Sequence, residues 1–416
     1  MTGRARFAER FRTDFAAASL AACPADARGW YERLERVAED EIAPTAAEND
    51  RHGTFPAEAL AALKRLGATA ITIPTAYGGL GWPDALAALT VETLARACPS
   101  TAAILMFHYQ VVRRTLEFGH EPWRAADLRD FAAGRHLGSS AWTEIGAGAE
   151  KSGTRTRITA QGPQAQITGE KHFCTGLESS GILHVLVDSS DIVPRTTSFV
   201  RVPVDARGVD LPEIYPLLGL RASSTGSIGL TDARVETGWL IGEAGDGPAL
   251  MRHNHLFLMN PGLIALGIAR DAIEAAKASV TGVERGSRDA SGSQTLRVAI
   301  ATMENELAAA YALAADCIAA QSSAPAERHA RNLRLKLVAS RCAVEIASRT
   351  MLIAGGRGFH AGWPHERHLR DAYATVVMGP PDSVIQEALA AAALAPAEPE
   401  THSLPLDPAS RAVETV

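Results

Sequence analysis

The sequence predicts an α+β fold in which helices come first, strands occupy the middle and helices return. Two changes of periodicity predict it: apolar residues spaced by three and four give way to alternation near residue 139, and the helical spacing resumes near residue 246. Length is the third observation, since 416 residues exceed the ~150 of a typical domain and imply two or three units. The expected boundaries are 1–138 for an N-terminal helical domain, 139–245 for a middle β domain, 246–395 for a C-terminal helical domain and 396–416 for a loose polar tail.

In the first segment, "WYERLERVAEDEIAP" and "FPAEALAALKRLGATA" carry helical apolar spacing, with Pro44 and Gly67 expected to stop them. "DALAALTVETLARACPSTAAILMFHYQVVRRTLEFG" continues as two apolar helices parted at Pro99. The middle string "TRTRITAQGPQAQITGEKHFCT" alternates as strands do, with turns expected at Gly162-Pro163 and Gly169-Glu170, and "ILHVLVDSS" reads as a short buried strand. Beyond "GEAGDGPALM" come long Ala-rich helices. Those around 262–281 and 296–320 are apolar over much of their circumference, which suits burial against neighbouring subunits.

Composition excludes several classes of function. A net charge of -6 with 21% charged residues offers no field for polyanions, so no nucleic-acid partner is expected. No stretch approaches the ~20 apolar residues of a membrane span, and none forms a signal-peptide core, so a cytoplasmic protein is expected. Five scattered cysteines without a C-x-x-C pair argue for reduced thiols rather than a disulfide framework. The histidines of "RHNH" and "FHAGWPHERH" lack the spacing of a zinc helix, so no metal site is expected, and "ERHARNLRLK" reads as solvated helix surface.

Six strings in order, "IPTAYGGLGW", "SSAWTEIGAGAE", "GEKHFCTG", "LGLRASSTGSIGLTDARV", "AGGRGF" and "PHERHLRDA", resemble the acyl-CoA dehydrogenase flavoprotein superfamily over about residues 30 to 395. The resemblance implies a β-barrel-like middle domain, a C-terminal four-helix bundle, a homotetramer or homodimer, and one FAD per subunit. It also implies an acyl thioester substrate, on CoA or a carrier protein, and as redox partner an electron-transfer flavoprotein, a flavin reductase or oxygen.

In "AWTEIGAG", the main chain of Ala141, Trp142 and Thr143 and the Thr143 hydroxyl are expected to meet the polar edge of the flavin. Strand alternation puts Phe173 and Thr175 on one face, and the resemblance gives them the covering and bonding of the flavin ring. Gly355 and Gly356 read as a helix C-cap, which the resemblance places against the adenosine-pyrophosphate half. It also supplies a Gln and an Arg from a neighbouring subunit: Gln294 matches the first, and Arg285 or Arg288 the second. Ser383 completes the expected cofactor contacts.

Dehydrogenases of this family carry a glutamate at the helix break after Arg-Asp-Ala, which removes the α-proton of the thioester as hydride leaves the β-carbon. Counting from Arg370, that position is Gly379, and a slip of one residue gives Met378 or Pro380. The alternative site used by a minority of the family falls near Phe257 and is also empty of a carboxylate. Ser383 and Gln386 have capping-box spacing at the restart, with Asp382 favourable to the helix dipole. Three functions therefore compete: an acyl-thioester dehydrogenase with a non-standard base (Glu144, Asp382 or a substrate group), a flavin-dependent monooxygenase of the same fold, and a non-catalytic partner subunit of a heteromer.

Overall fold

Proline and glycine punctuate the N-terminal helices, with one exception. The computed structural model describes residues 7–146, 153–253, 260–284 and 286–394. Helices α1 (Phe7–Ala21) and α2 (Ala27–Val37) lead through a π-helical turn at Ala38–Ile42 into α3 (Ala43–His52). Pro44 thus stands just past the π-helical turn, in the first turn of α3, and does not stop the helix, which continues through Val37, Ala38, Ile42 and Ala43 in helical backbone. Past α4 (Ala57–Arg65), Gly67 takes a left-handed conformation, and α5 (Asp84–Ala97), α6 (Pro99–Phe118) and α7 (Trp123–Ala132) follow, with Pro99 opening α6.

Strands β1 (Leu137–Ala141), β2 (Arg157–Gln161), β3 (Gln164–Cys174), β4 (Ser180–Asp188), β5 (Thr197–Pro203), β6 (Val209–Asp210), β7 (Gly226–Glu236) and β8 (Leu240–Ile241) form one sheet. Its order is β6-β7-β3-β2-β4-β5-β8, with β1 pairing β4 in parallel. Gly162-Pro163 makes the two-residue turn between β2 and β3, as expected. Gly169 does not turn: β3 runs through it with a register shift against β7, and a side chain there would strike Thr156.

The chain returns to helix as α8 (Gly247–His253), α9 (Pro261–Val280), α10 (Gln294–Ala319), α11 (Pro325–Ala354), α12 (Pro364–Val377) and α13 (Asp382–Leu394). Helix α9 packs against α5, α10, α11 and α12, so its apolar circumference is covered by this chain and not by a neighbouring subunit. The first and last helical segments share one core, where Leu86 and Leu94 of α5 meet the cluster of Leu263, Leu266 and Ile346. A buried carboxylate fastens it: Glu92 accepts from the Tyr311 hydroxyl at 2.5 Å and has Arg12 and Arg270 each 3.8 Å away. The β domain has its own core of Ile158, Ile167, Val185, Val200 and Ile228.

Candidate functional site

The segment just after β1 and the C-terminal end of β3 are tied side by side. Thr143 and His172 form a β-bridge in which the His172 N–H donates to the Thr143 carbonyl at 2.8 Å. One residue further, Glu144 accepts from Lys171 Nζ at 2.7 Å and from the backbone N–H groups of Arg155 and Thr156 at 2.7 and 3.0 Å. Burial alone would raise its pKa, but these donors prevail and hold it down at about 2. A carboxylate so saturated is a structural anion, and as a base it is weak, so the structure removes Glu144 from the candidate bases.

Phe173 follows in a left-handed conformation, φ +56°, costly for an aromatic residue. The register of β3 slips between Lys171 and Cys174, so the alternation that put Phe173 and Thr175 on one face does not hold. Phe173 projects outward and is 58% exposed, whereas Thr175 is buried with its hydroxyl 3.0 Å from that of Thr225. A large aromatic held in a strained conformation and open to solvent is a platform without its covering surface, and such strain gathers at functional sites. The arrangement fits the flat ring system of a flavin. Ala141 points into the β core, and the Trp142 indole packs on Phe199, so these two present only main chain toward such a ring.

Beside Phe173 stands a pair that the sequence did not disclose. His172 Nδ1 lies 2.5 Å from the Tyr215 hydroxyl, the two rings are nearly parallel at 6.3 Å, and Tyr215 touches Phe173 at 5.3 Å between centroids.

The break between α12 and α13 is anchored from two sides. Asp371 accepts from the Leu220 N–H at 2.7 Å, and Arg370 grips Asp50 through two bonds of 3.1 and 2.6 Å while donating to the Leu218 carbonyl at 2.9 Å. Gly219 lies against the Arg370 carbonyl, where any side chain would collide. Burial pushes the Asp371 carboxyl up to about 6, with the Leu220 bond opposing it. On the far side of the break, Asp382 accepts from Lys336 Nζ at 2.5 Å and from Ser340 Oγ at 2.9 Å to both oxygens, and Lys336 also reaches the Val376 carbonyl at 3.2 Å. Asp382 is therefore engaged like Glu144 and is not a base in waiting. Lys336 and Asn332, in the string expected to be solvated, are buried.

Between these anchors Gly379 is bare. Its φ is not left-handed, it is exposed, and a Cβ built on it meets nothing within 4 Å. Ser383, also exposed, stands in the first turn of α13. Gly355, φ +62°, caps α11, and Gly355 and Gly356 both face open space. Arg357 then donates to the Gly286 carbonyl at 2.8 Å, drawing the "AGGRGF" turn to the loop that precedes Gln294. Gln294 opens α10 and is exposed, as is Arg288; Arg285 and Phe257 lie outside the described residues. His365 and His368, from the histidine-rich string, pair with Glu284 at 3.1 Å and Asp271 at 2.8 Å.

Sequence reasoning missed Lys171, Lys336 and Tyr215. The available signal was a lysine at a buried register of an alternating strand and another on the apolar side of a helix.

A helical shell on a β domain, with Phe173 exposed beside Thr143, makes an α+β protein with an open surface for a flat ligand, and its relatives define it as an FAD-dependent oxidoreductase. The family models described as acyl-CoA dehydrogenase, N-terminal domain, and acyl-CoA dehydrogenase, C-terminal domain, match residues 24–135 and 259–394. The chain belongs to the acyl-CoA dehydrogenase family, which is FAD-dependent. It is 30% identical over 355 residues to a probable acyl-CoA dehydrogenase of Bacillus subtilis, covering 82% of this chain and 90% of that protein. It is 29% identical over 353 residues to the mitochondrial short-chain specific acyl-CoA dehydrogenase of Bos taurus, covering 82% of this chain and 83% of that one. Among solved structures, butyryl-CoA dehydrogenase of Megasphaera elsdenii aligns with a TM-score of 0.83 at 24% identity, over 89% of this chain and 99% of that one. A glutaryl-CoA dehydrogenase of Mycobacterium smegmatis in complex with FADH2 gives 0.82 at 22%, over 94% and 99%. At these identities the structural likenesses speak for the fold.

Proposed function

We propose that this chain oxidises an acyl thioester, carried by CoA or a carrier protein, at the α,β-carbons, with Gly379 in place of a carboxylate at the helix break and Asp382 there held by Lys336 and Ser340. The Phe173 platform carries the flavin half of the proposal, and bare Gly379 carries the other. When bound, FAD supplies a hydride acceptor. The chain's own residues do the rest: Thr143 and the β1 main chain orient the ring edge, Phe173 covers a face, and Lys171 with Glu144 locks the two strands in register. Gln294, Arg285 or Arg288, and Gly355-Gly356 hold the adenosine half in an assembly of two or four copies, and exposed Leu352 and Phe359 supply apolar surface for such contacts.

General-base catalysis is worth about 10²- to 10⁴-fold, so a plain straight-chain thioester is turned over slowly and one whose α-C–H is acidified by a neighbouring group faster. A second reading, a flavin-dependent monooxygenase fed by a flavin reductase, gains support because Glu144 and Asp382 are both committed to ion pairs and oxygen insertion needs no α-proton base. The visible spectrum separates the readings. Anaerobic bleaching of bound FAD by an acyl thioester supports dehydrogenation; oxygen consumption with NADH and a reductase, without such bleaching, supports the second; a preparation that takes up no FAD contradicts both.

A further inference from the structure

Buried cations in this fold meet carboxylates. Lys171 has Glu144 at 2.7 Å, Lys336 has Asp382 at 2.5 Å, and Arg201 has Asp127 through two bonds of 2.6 Å. Arg114, in α6 and 1% exposed, is different. Its guanidinium lies beside the packed pair of Trp142 and Phe199, 5.2 and 5.1 Å from their ring centroids, and one nitrogen donates to the Ser140 hydroxyl. Nε and Nη1 are buried without a hydrogen-bond partner, and no carboxylate pairs with Arg114 among the described residues. Two aromatic faces attract a cation but accept none of its in-plane N–H groups, and a buried charge needs an opposite charge or a full set of hydrogen bonds.

The surroundings add donors. Ser140 pairs with His184 across β1 and β4, and His184 with Arg201 across β4 and β5, so these side chains share the sheet face that α6 covers. His184 is fully buried, its Nε2 lies 3.5 Å from the Thr115 hydroxyl and its Nδ1 has no partner, so the tautomer protonated on Nδ1 would offer a further donor. Burial first, then the charges of Arg114 and Arg201, hold its pKa well below the ordinary value, so the ring is neutral. Trp142 Nε1, a donor only, is likewise buried and unpartnered. The layer between α6, α7 and the sheet thus holds two guanidiniums, one carboxylate (Asp127) and several unmet N–H groups. An anion there would accept from Arg114 and Trp142 and would offset the buried guanidinium charge.

We propose that Arg114, Trp142 and His184 bind a small monovalent anion, of the size of a halide, between α6 and the β1–β4–β5 face. This site uses the Trp142 indole, on the side away from the main chain that faces the flavin edge, and stands whether or not the proposed reaction does. The test uses crystals of the FAD-loaded protein soaked in sodium bromide, together with melting curves in sodium bromide and in sodium gluconate at equal ionic strength. The expected result is an anomalous bromide peak within hydrogen-bonding distance of Arg114 and a melting temperature that rises with bromide over gluconate, because a ligand of the folded state alone stabilises it by mass action. Arg114→Met abolishes the difference; if that variant does not fold, Trp142→Phe, which keeps the ring but loses the N–H, reduces it. Bromide peaks on the surface only, or melting curves that do not distinguish bromide from gluconate, would overturn the site.

Discussion

The β1–β3 face and the α12–α13 break are built to the same standard but furnished differently. Each is fastened by a buried lysine-carboxylate pair, Lys171 with Glu144 and Lys336 with Asp382, and each pair is reinforced by further donors to the carboxylate. The strand face then presents Phe173 to solvent at the cost of a left-handed backbone, while the helix break presents glycine. On the proposed reading, in which a base would stand at 379, scaffold and reacting group are separable: the anchored frame persists around a residue that has no side chain.

The largest expected effect comes from supplying the missing group. Gly379→Glu, sterically free because a Cβ there meets nothing and φ is ordinary, is expected to raise the rate of flavin bleaching by butyryl-CoA about 10²- to 10⁴-fold, read by anaerobic stopped flow. An unchanged rate in a variant that retains fold and FAD would separate position 379 from the chemistry. Next comes the strand scaffold. Lys171→Met strands the Glu144 carboxylate and is expected to cost about 3–5 kcal/mol in urea unfolding, whereas adding Glu144→Leu restores much of the loss. Equal losses in the single and double variants would show that packing, not the stranded charge, is at stake.

These features were unequally legible in the sequence. Helix starts at Pro99 and the Gly162-Pro163 turn are local events, set by one or two residues, and periodicity located the β domain. Position 379 was assigned by counting along one string, a proposal that the Gly379→Glu variant tests. By contrast, Glu144 and Lys171 are 27 residues apart and meet only because β1 and β3 are bridged at Thr143 and His172. Lys336 and Asp382 meet through helix packing that no spacing encodes. The left-handed Phe173 comes from a register slip that alternation hides, and Pro44 was misread because a π-helical turn just before it carries the helix past a proline.

Smaller effects sharpen the comparison. Phe173→Gly accepts the left-handed backbone without strain, so the variant is expected to be as stable as the native chain or more so, yet to bind FAD about tenfold more weakly through loss of the aromatic cover. Equilibrium dialysis and thermal melting read the two effects separately, and unchanged FAD affinity would deny the platform its role.

The two anchoring carboxylates also respond to pH with opposite sign. Asp371, raised to about 6 from an ordinary 3.8, gives stability that is full below 3.8 and lost as pH rises through about 6. Asp371→Asn keeps an oxygen for the Leu220 N–H, so it is expected to remove that decline between those values. Glu144, lowered from an ordinary 4.5 to about 2, gives stability present above 4.5 and lost as pH falls through about 2. Urea unfolding across pH 4 to 6 checks the first, and a native profile without the Asp371-dependent decline would contradict it.

The claim that the binding half is furnished and the base is absent is tested most directly by α-proton exchange. The FAD-loaded native protein is incubated in D2O with a straight-chain thioester that binds but cannot lose hydride from its β-carbon, and deuterium at the α-carbon is followed by NMR. The account predicts wash-in at the buffer rate for the native chain and acceleration in Gly379→Glu. Rapid wash-in by the native protein would contradict it, because some group other than residue 379 would then be taking the proton.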